Sequence, residues 1–204
     1  MRTAFSLLAL AALLLTRHDV VLTQQTVQEP STEKVFPAEV TFKAGETSYT
    51  LKATGTSVRK KVIIKVYGMV HYLQDPPRCS EAEAFRTILK DGKAKQITMA
   101  FVRDVTVDQI RGAYRDGFEA NATDAEKKEI APYIETFLSN FDAEVKENQQ
   151  FVLRWFPGGK IVPIINNVEK SPIVNATFAR VLWTIWFGED SIVDRDDLVQ
   201  FMIP

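Results

Sequence analysis

The stretch GTSVRKKVIIKVYGMVHYL, residues 55–73, decides the fold of this chain. Its second part, residues 61–73, is dense in β-branched and aromatic side chains, which is typical of a central strand with both faces buried. On its N-terminal side, residues 35–42 and 48–53 alternate apolar and polar side chains about a turn at Gly45. Period-two alternation around a glycine predicts a β-hairpin. The domain therefore begins with consecutive antiparallel strands.

Helical and strand patterns follow one another along the rest of the chain. Ser80 with Glu83, and Thr123 with Glu126, form capping-box pairs that predict two helix starts. Gly188 is placed to end a later helix in the left-handed conformation. The predicted elements are helices at 81–89, 106–119, from 124 onwards, 175–187 and 194–202, and strands at 94–102, 150–156 and 160–165. Strands first, then helices, then a late hairpin indicate an α+β domain built on an antiparallel sheet.

The N-terminus carries an apolar run, Ala4–Leu15, that begins after Arg2 and stops at Arg17. Twelve residues fall short of the roughly 20 that span a bilayer and match the core of a signal peptide, although no clear small-x-small cleavage site follows. We therefore predict a signal peptide or N-terminal anchor at 1–25, a polar linker at 26–34 and one domain at 35–204. The expected location is outside the cytoplasm, periplasmic or secreted in a bacterium, with membrane contact only through the N-terminal segment if it is uncleaved.

Composition excludes several classes of function. The net charge of −1 and the lack of a basic stripe argue against a nucleic-acid partner. Cys79 is the only cysteine, so neither an intrachain disulfide nor a cysteine-based metal site can form. His18 and His71 are too few for a histidine metal centre, and no dinucleotide, P-loop, nucleophile-elbow or HExxH motif occurs. We therefore expect neither a metal nor a cofactor. The oligomeric state stays open.

One constellation suggests a ligand site. Arg59 stands at the start of the apolar run, and an arginine is a good receptor for a carboxylate or enolate because its donor fork stays charged when desolvated. Tyr67 lies eight residues further on, so in one regular strand it would face the same side as Arg59 but about 26 Å away. The alternative is that Arg59, Lys60 and Lys61 form a solvated basic turn. His71 is interpreted as a strand histidine with satisfied hydrogen bonds.

Three blocks of the sequence resemble the chalcone isomerase-like family, over about residues 33–204. They are GTSVRKKVIIKVYGMVHYL (55–73), FVRDVTVDQIRGAYRDGFEAN (101–121) and FARVLWTIWFGEDSIVDRDDLVQFM (178–202). The resemblance implies an open-faced β-sandwich, in which a large antiparallel sheet is covered by a layer of helices. The family includes enzymes that cyclise chalcones and non-catalytic relatives that bind fatty acids.

The resemblance also implies roles for particular residues. Arg59 corresponds to the arginine that receives the phenolate or carbonyl in the enzymes. Tyr67 stands near a threonine of the enzymes and resembles the fatty-acid-binding branch, where Arg and Tyr together hold the carboxylate. The enzymes' active-site Tyr and Asn fall near Thr106 and Ala113, so neither matches. Tyr114, beside the missing Asn, fills that space by another route or belongs to the core.

These observations favour a binding protein for a small apolar acid, either a fatty acid or a phenolic or aromatic acid, in a cleft with Arg59 at its polar end. The candidate ligand-binding residues are Arg59, Tyr67 and Tyr114. The alternative is an intramolecular lyase that cyclises a chalcone-like enone, with Arg59 as its catalytic residue. A third reading is a structural or partner-binding protein with no filled cleft.

Overall fold

A computed structural model describes residues 25–204. The segment predicted as a signal peptide or anchor lies outside the described residues, apart from Gln25. The strands are β1 (Thr26–Glu29), β2 (Lys34–Pro37), β3 (Glu39–Ala44), β4 (Thr47–Lys61), β5 (Ile64–Leu73), β6 (Lys95–Phe101), β7 (Gln150–Phe156), β8 (Lys160–Ile165), β9 (Val168–Glu169) and β10 (Ile173–Val174). The helices are α1 (Glu81–Leu89), α2 (Val107–Asn121), α3 (Asp124–Ser139) and α4 (Ala176–Phe187). A short 3-10 helix spans Asp197–Val199.

The architecture confirms the predicted α+β class and the helix-covered antiparallel sheet. The large sheet has the order β10-β8-β7-β6-β5-β4-β3, with β9 paired to β8, and every pairing in it is antiparallel. The predicted hairpins β3–β4 and β7–β8 are both present. Neighbouring strands are joined in sequence from β3 to β5, and the β4–β5 register shifts between Ala53 and Gly55 and between Arg59 and Lys60.

The apolar run 61–73 is not one strand, which corrects the sequence prediction. β4 extends to Lys61, the chain turns over Val62 and Ile63, and β5 returns antiparallel from Ile64. Val62 has a φ of 59°, the left-handed region that glycine favours. The turn carries no glycine, asparagine or proline, so the usual marker of a hairpin was missing. This turn brings the two halves of 55–73 side by side.

Residues 26–34, predicted as a polar linker, are instead part of a second small sheet. β1 pairs antiparallel with β2, and this hairpin contacts β4 and β5. Its turn is held by Glu29, a buried residue whose carboxylate accepts hydrogen bonds from the backbone N–H groups of Ser31 and Thr32 at 2.9 and 2.7 Å. The polar residues of this segment therefore stabilise a turn, and their composition alone resembled that of a linker.

The main core lies between the large sheet and the helices. Alternate residues of β5, namely Tyr67, Met69 and Leu73, face this layer together with Phe101 of β6 and Phe151 of β7. The helices α1, α2 and α3 each contact α4, which is the most buried helix and the centre of the layer. The opposite face of the sheet carries a smaller core that includes residues of β2, β4, β5 and β6.

Several helix ends differ from the predictions. Ser80 is the N-cap of α1, but its side chain makes no capping hydrogen bond. The Thr123–Glu126 capping box is present. Gly188 ends α4 with a φ of −76° and a ψ of 179°, an extended rather than a left-handed conformation. The predicted last helix, 194–202, is reduced to the 3-10 turn Asp197–Val199.

This C-terminal turn rests directly on β4. A Cβ atom at Gly55 would lie 2.0 Å from the backbone oxygen of Asp197, so only glycine allows the approach. Thr54 of β4 makes two hydrogen bonds to this C-terminal segment. Its carbonyl accepts from the N–H of Phe201 at 2.9 Å, and its hydroxyl donates to the carbonyl of Leu198 at 2.8 Å. Residues 197–201 therefore pack against Thr54 and Gly55 of β4, the strand that also carries Arg59.

The turn between β4 and β5 yields a stability prediction. Val62 and Ile63 are both almost fully exposed, but only Val62 has a left-handed φ. We expect Val62→Gly to be more stable than Ile63→Gly by about 1–2 kcal/mol, because a non-glycine residue in this conformation costs about that much. Both changes remove an exposed β-branched side chain and add similar freedom to the unfolded chain, so each controls for the other. Urea unfolding measures the difference, and equal stabilities would contradict it.

Candidate functional site

A cavity of about 730 Å³ lies between the large sheet and α2. Its floor comes from β4 to β7 and its roof from α2, with the C-terminal part of α4 and the following loop closing one end. The apolar part of the lining includes Val66, Met99, Phe101, Phe151, Ile110 and Ile185. The volume lies within the range typical of small-molecule sites. The lining also carries charged and amide side chains, namely Arg59, Lys61, Arg103, Asp108, Gln109, Asp116, Asn121 and Asp190.

All three residues singled out in the sequence, Arg59, Tyr67 and Tyr114, line this cavity. Arg59 of β4 and Tyr67 of β5 are directly opposite partners in the antiparallel pair. Opposite residues have Cβ atoms about 5 Å apart, instead of the 26 Å expected for a single extended strand. Their proximity therefore comes from the turn at Val62 together with a one-residue register shift between Arg59 and Lys60, without which Arg59 would face Val66. A solvated basic turn does not describe Arg59, which is partly buried.

The hydroxyl of Tyr67 is oriented by a helix residue. Trp186 of α4 donates its indole N–H to this oxygen at 3.0 Å, and the ring of Phe101 packs edge-on at 5.4 Å. Because the oxygen accepts from Trp186, the O–H proton is directed elsewhere, and it has no acceptor among residues 25–204. Burial raises the pKa of Tyr67 to about 12, against smaller opposing effects of Trp186 and the Arg59 charge. Tyr67 is thus a neutral donor with a proton available to a ligand.

Arg59 is tethered by one of its nitrogens. Nη1 donates to the carbonyl of Ile192 at 2.7 Å, in the loop after α4. No carboxylate of the described residues forms an ion pair with this guanidinium, which has further N–H donors to offer. The tether holds the charged group at the cavity, where it can form charge-assisted hydrogen bonds with an anion.

Tyr114 of α2 lies deeper in the aromatic part of the layer. Its ring stacks on Phe141 at 5.2 Å and meets Phe137 edge-on at 4.9 Å, while Trp186 is 6.2 Å away. Burial and the nearby Tyr67 raise the pKa of Tyr114 well above its ordinary value. Its hydroxyl forms no hydrogen bond within the described part of the chain. Tyr114 therefore serves both as a core aromatic and as a part of the cavity wall.

The positions that the resemblance assigned to an active-site Tyr and Asn offer no such groups to the cavity. The hydroxyl of Thr106 accepts from the backbone N–H of Gln109 at 3.3 Å, as the N-cap of α2. Ala113 lines the cavity but brings only a methyl group. Neither position therefore adds a hydrogen-bonding group to the cavity beside Arg59, Tyr67 and Tyr114, and the exposed Arg103 also lines it.

His71 is part of the structural core and does not line the cavity. Trp183 donates to His71 Nε2 at 3.3 Å, so Nδ1 carries the proton and donates to the Thr54 hydroxyl at 2.7 Å. Thr54 in turn donates to the carbonyl of Leu198. Burial, and to a smaller degree the Lys95 charge, lowers the pKa of His71 well below its ordinary value. This chain of hydrogen bonds agrees with the interpretation of His71 as a satisfied strand histidine.

The buried neutral imidazole predicts a pH dependence of stability. His71 stays neutral when folded but takes up a proton in the unfolded chain below pH 6.5, so the unfolded state is favoured as the pH falls. We expect the free energy of unfolding to fall by about 1.4 kcal/mol between pH 7.5 and 5.5 from this group alone. Urea unfolding of the parent and of His71→Gln measures it. The variant serves as the control because it should lose this part of the pH dependence, and an identical dependence would refute the assignment.

Two partners at the site could not be found from the sequence. Trp186 lies in the predicted helix 175–187, but its hydrogen bond to Tyr67 depends on how α4 packs over β5. The carbonyl of Ile192 holds Arg59 through backbone, which any residue could supply. Residues 25–204 contain no cluster of histidine, cysteine or acidic groups able to hold a metal ion. Within the same range, no helix is long and apolar enough to cross a membrane.

The fold and this cavity define the class: an α+β protein with a largely apolar cavity between an antiparallel sheet and its covering helices. The sequence profile of the chalcone isomerase-like family matches residues 33–198, so the chain belongs to that family. A crystal structure of an Arabidopsis thaliana fatty-acid binding protein is similar, with a TM-score of 0.70 and 17% identity, covering 87% of this chain and 96% of the other. At this identity the likeness shows the fold alone. No curated protein sequence matches the chain.

Proposed function

We propose that this protein binds a small apolar acid, a fatty acid or an aromatic acid, with its tail in the cavity and its acidic group at Arg59 and Tyr67. The observation that carries the proposal is the direct pairing of these two residues at an apolar cavity, each with donors that the described residues leave unused. Family membership and the fold shared with a fatty-acid binding protein support the same class of ligand.

The charge of the two groups favours an anionic head. Arg59 is cationic, and Tyr67 is held neutral by its raised pKa, so both act as donors at neutral pH. A carboxylate has acceptors only and can take hydrogen bonds from the guanidinium and the phenol together. A cationic head group would be repelled by the Arg59 charge at this pair. The apolar lining then contributes through burial of the hydrocarbon or aromatic tail.

The second candidate is an intramolecular lyase acting on a chalcone-like enone, with Arg59 as the group that stabilises the developing oxyanion. Family membership is the observation that favours it. Against it stand Thr106, whose hydroxyl caps α2, and Ala113, which has no hydrogen-bonding side chain. Hydrogen bonds to the substrate oxygen that strengthen in the transition state are a main source of rate, and these positions supply none.

We also propose that the protein acts after export, because the Ala4–Leu15 run resembles the core of a signal peptide.

The first test removes the charge at the cavity. We expect Arg59→Gln to weaken binding of palmitate about 10- to 100-fold, the loss typical of a hydrogen bond to a charged group. The measurement is displacement of a dansyl-labelled fatty acid, with circular dichroism to show that the fold is intact. Arg103→Gln is the matched control, because Arg103 is an exposed arginine on the rim of the same cavity.

Unchanged affinity in Arg59→Gln, with a loss in Arg103→Gln, would place the acid at the rim and contradict the proposal. Absence of binding by both fatty and aromatic acids, combined with stereoselective cyclisation of a hydroxychalcone above its spontaneous rate, would favour the lyase.

The second test separates the two roles of Tyr67. In Tyr67→Phe we expect about 3- to 10-fold weaker palmitate binding, from loss of one hydrogen bond, and a stability loss of about 1–3 kcal/mol, because the buried indole N–H of Trp186 loses its acceptor. Tyr114→Phe is the control for stability, since its hydroxyl has no partner within residues 25–204. A Tyr67→Phe protein with unchanged affinity but reduced stability would show that the phenol is structural and does not contact the ligand.

A further inference from the structure

The tip of the β4–β5 hairpin is an exposed run of three β-branched apolar residues. Val62, Ile63 and Ile64 have exposed fractions of 90%, 87% and 50%. The other large apolar residues exposed in the described part of the chain, such as Val168 and Val174, occur singly. Single exposed apolar residues are normal on a protein surface, whereas three in a row at a protruding turn need an explanation.

Folding does not explain Val62 and Ile63. Side chains so exposed make little contribution to the core, and the left-handed φ of Val62 favours glycine over a β-branched residue. A two-residue hairpin turn is served best by Gly, Asn or Asp, which are also polar or small. The tip therefore carries apolar side chains where both solvation and turn geometry disfavour them. Such a feature indicates a contact outside the chain.

Lysines flank the apolar tip in the sequence. Lys60 and Lys61 precede it, Lys65 follows it, and all three are exposed. No carboxylate of residues 25–204 forms an ion pair with any of them; Lys65 donates to the carbonyl of Ser31. Three lysines without an ion-pair partner in residues 25–204 therefore flank the tip, although the whole chain has a net charge of −1. In an interfacial membrane contact, apolar side chains insert at the boundary of the acyl chains and basic side chains lie against the anionic head groups. The tip and its lysines have this composition.

We propose that this tip docks the protein on an anionic lipid bilayer, with Val62 and Ile63 in the interface and the three lysines against acidic head groups. A protein partner fits the tip less well. Stable protein interfaces bury about 800 Å² per partner and are depleted in lysine, whereas three apolar side chains ringed by lysines offer a small and charged contact. Lipid contacts add up residue by residue and need no complementary pocket.

The tip is continuous with the cavity, since Lys61 and Ile64 belong to the cavity lining. Docking by the tip therefore places this end of the cavity at the membrane surface. If the cavity holds an apolar acid, which rests on the proposed function, the acid can pass between bilayer and cavity without exposing its tail to water. Docking itself requires only the exposed tip and its lysines, so the two proposals can fail separately.

The experiment uses the full chain and a probe at the tip. Because the apolar run Ala4–Leu15 is also able to bind lipid, bulk sedimentation with vesicles is not sufficient. Ile63→Trp adds an exposed indole to a protein whose other tryptophans, Trp155, Trp183 and Trp186, are fully buried. With vesicles of phosphatidylcholine and phosphatidylglycerol we expect a blue shift of the added emission and quenching by brominated acyl chains, both weaker with phosphatidylcholine alone. The parent, without the added indole, is the spectral control.

The partition coefficient then tests whether the tip matters energetically. Val62→Gly with Ile63→Asn replaces the tip by favourable turn residues and keeps Ile64, so we expect an intact fold and about tenfold or more weaker binding to the anionic vesicles. Val168→Asn, which changes an exposed apolar residue elsewhere, should bind as the parent does. We expect high salt to reduce the difference between anionic and neutral vesicles, because it screens the lysines.

An added indole that stays in water, or a tip variant that partitions like the parent, would overturn the proposal. So would a tip variant whose oligomeric state changes while vesicle binding does not, since the tip would then be a contact between proteins. Palmitate affinity measured without vesicles should be unchanged in the tip variant, and this result distinguishes a failure of docking from a failure of the ligand site.

Discussion

The antiparallel pairing of β4 with β5 determines where the polar groups of the cavity lie. The turn at Val62 and Ile63 folds residues 55–73 back on themselves, and a one-residue register shift between Arg59 and Lys60 then sets Arg59 opposite Tyr67. β5 then pairs with β6, which adds Phe101 and Met99 to the same face. The helices cover this face and leave the cavity between β4–β7 and α2. A one-residue shift in this register would turn Tyr67 to the other face and remove it from the site.

The cavity's polar groups are held in place by contacts that do not involve a ligand. The indole N–H of Trp186 donates to the Tyr67 hydroxyl oxygen, and Nη1 of Arg59 donates to the carbonyl of Ile192. Each group keeps donors free while its position is fixed, so little conformational freedom remains to be lost on binding. His71 shows the contrast: it lies on the same strand and face, four residues from Tyr67, yet Trp183 and Thr54 use both of its ring nitrogens. One strand thus carries a cavity-facing group and a purely structural one.

Much of the fold follows from local patterns in the sequence. The hairpins β3–β4 and β7–β8, the start of α3 at its capping box and the amphipathic α4 depend on periodicity and short-range hydrogen bonds, and they appear as predicted. The predictions failed where local composition gave the wrong indication. The turn at Val62 carries none of the usual turn residues, and residues 26–34 include a hairpin turn that is held by the buried Glu29. Gly188 is extended, although glycine also allows the left-handed conformation.

The sequence by itself determined the α+β class, the order of most strands and helices, and the identity of Arg59, Tyr67 and Tyr114 as candidate site residues. Only the tertiary structure decided that these residues meet at one cavity, that Trp186 directs the Tyr67 proton, and that His71 is fully satisfied. The physical reason is the range of the interactions. Periodicity and capping act over a few residues, whereas Tyr67 and Trp186 are 119 residues apart and meet only when α4 packs on the sheet.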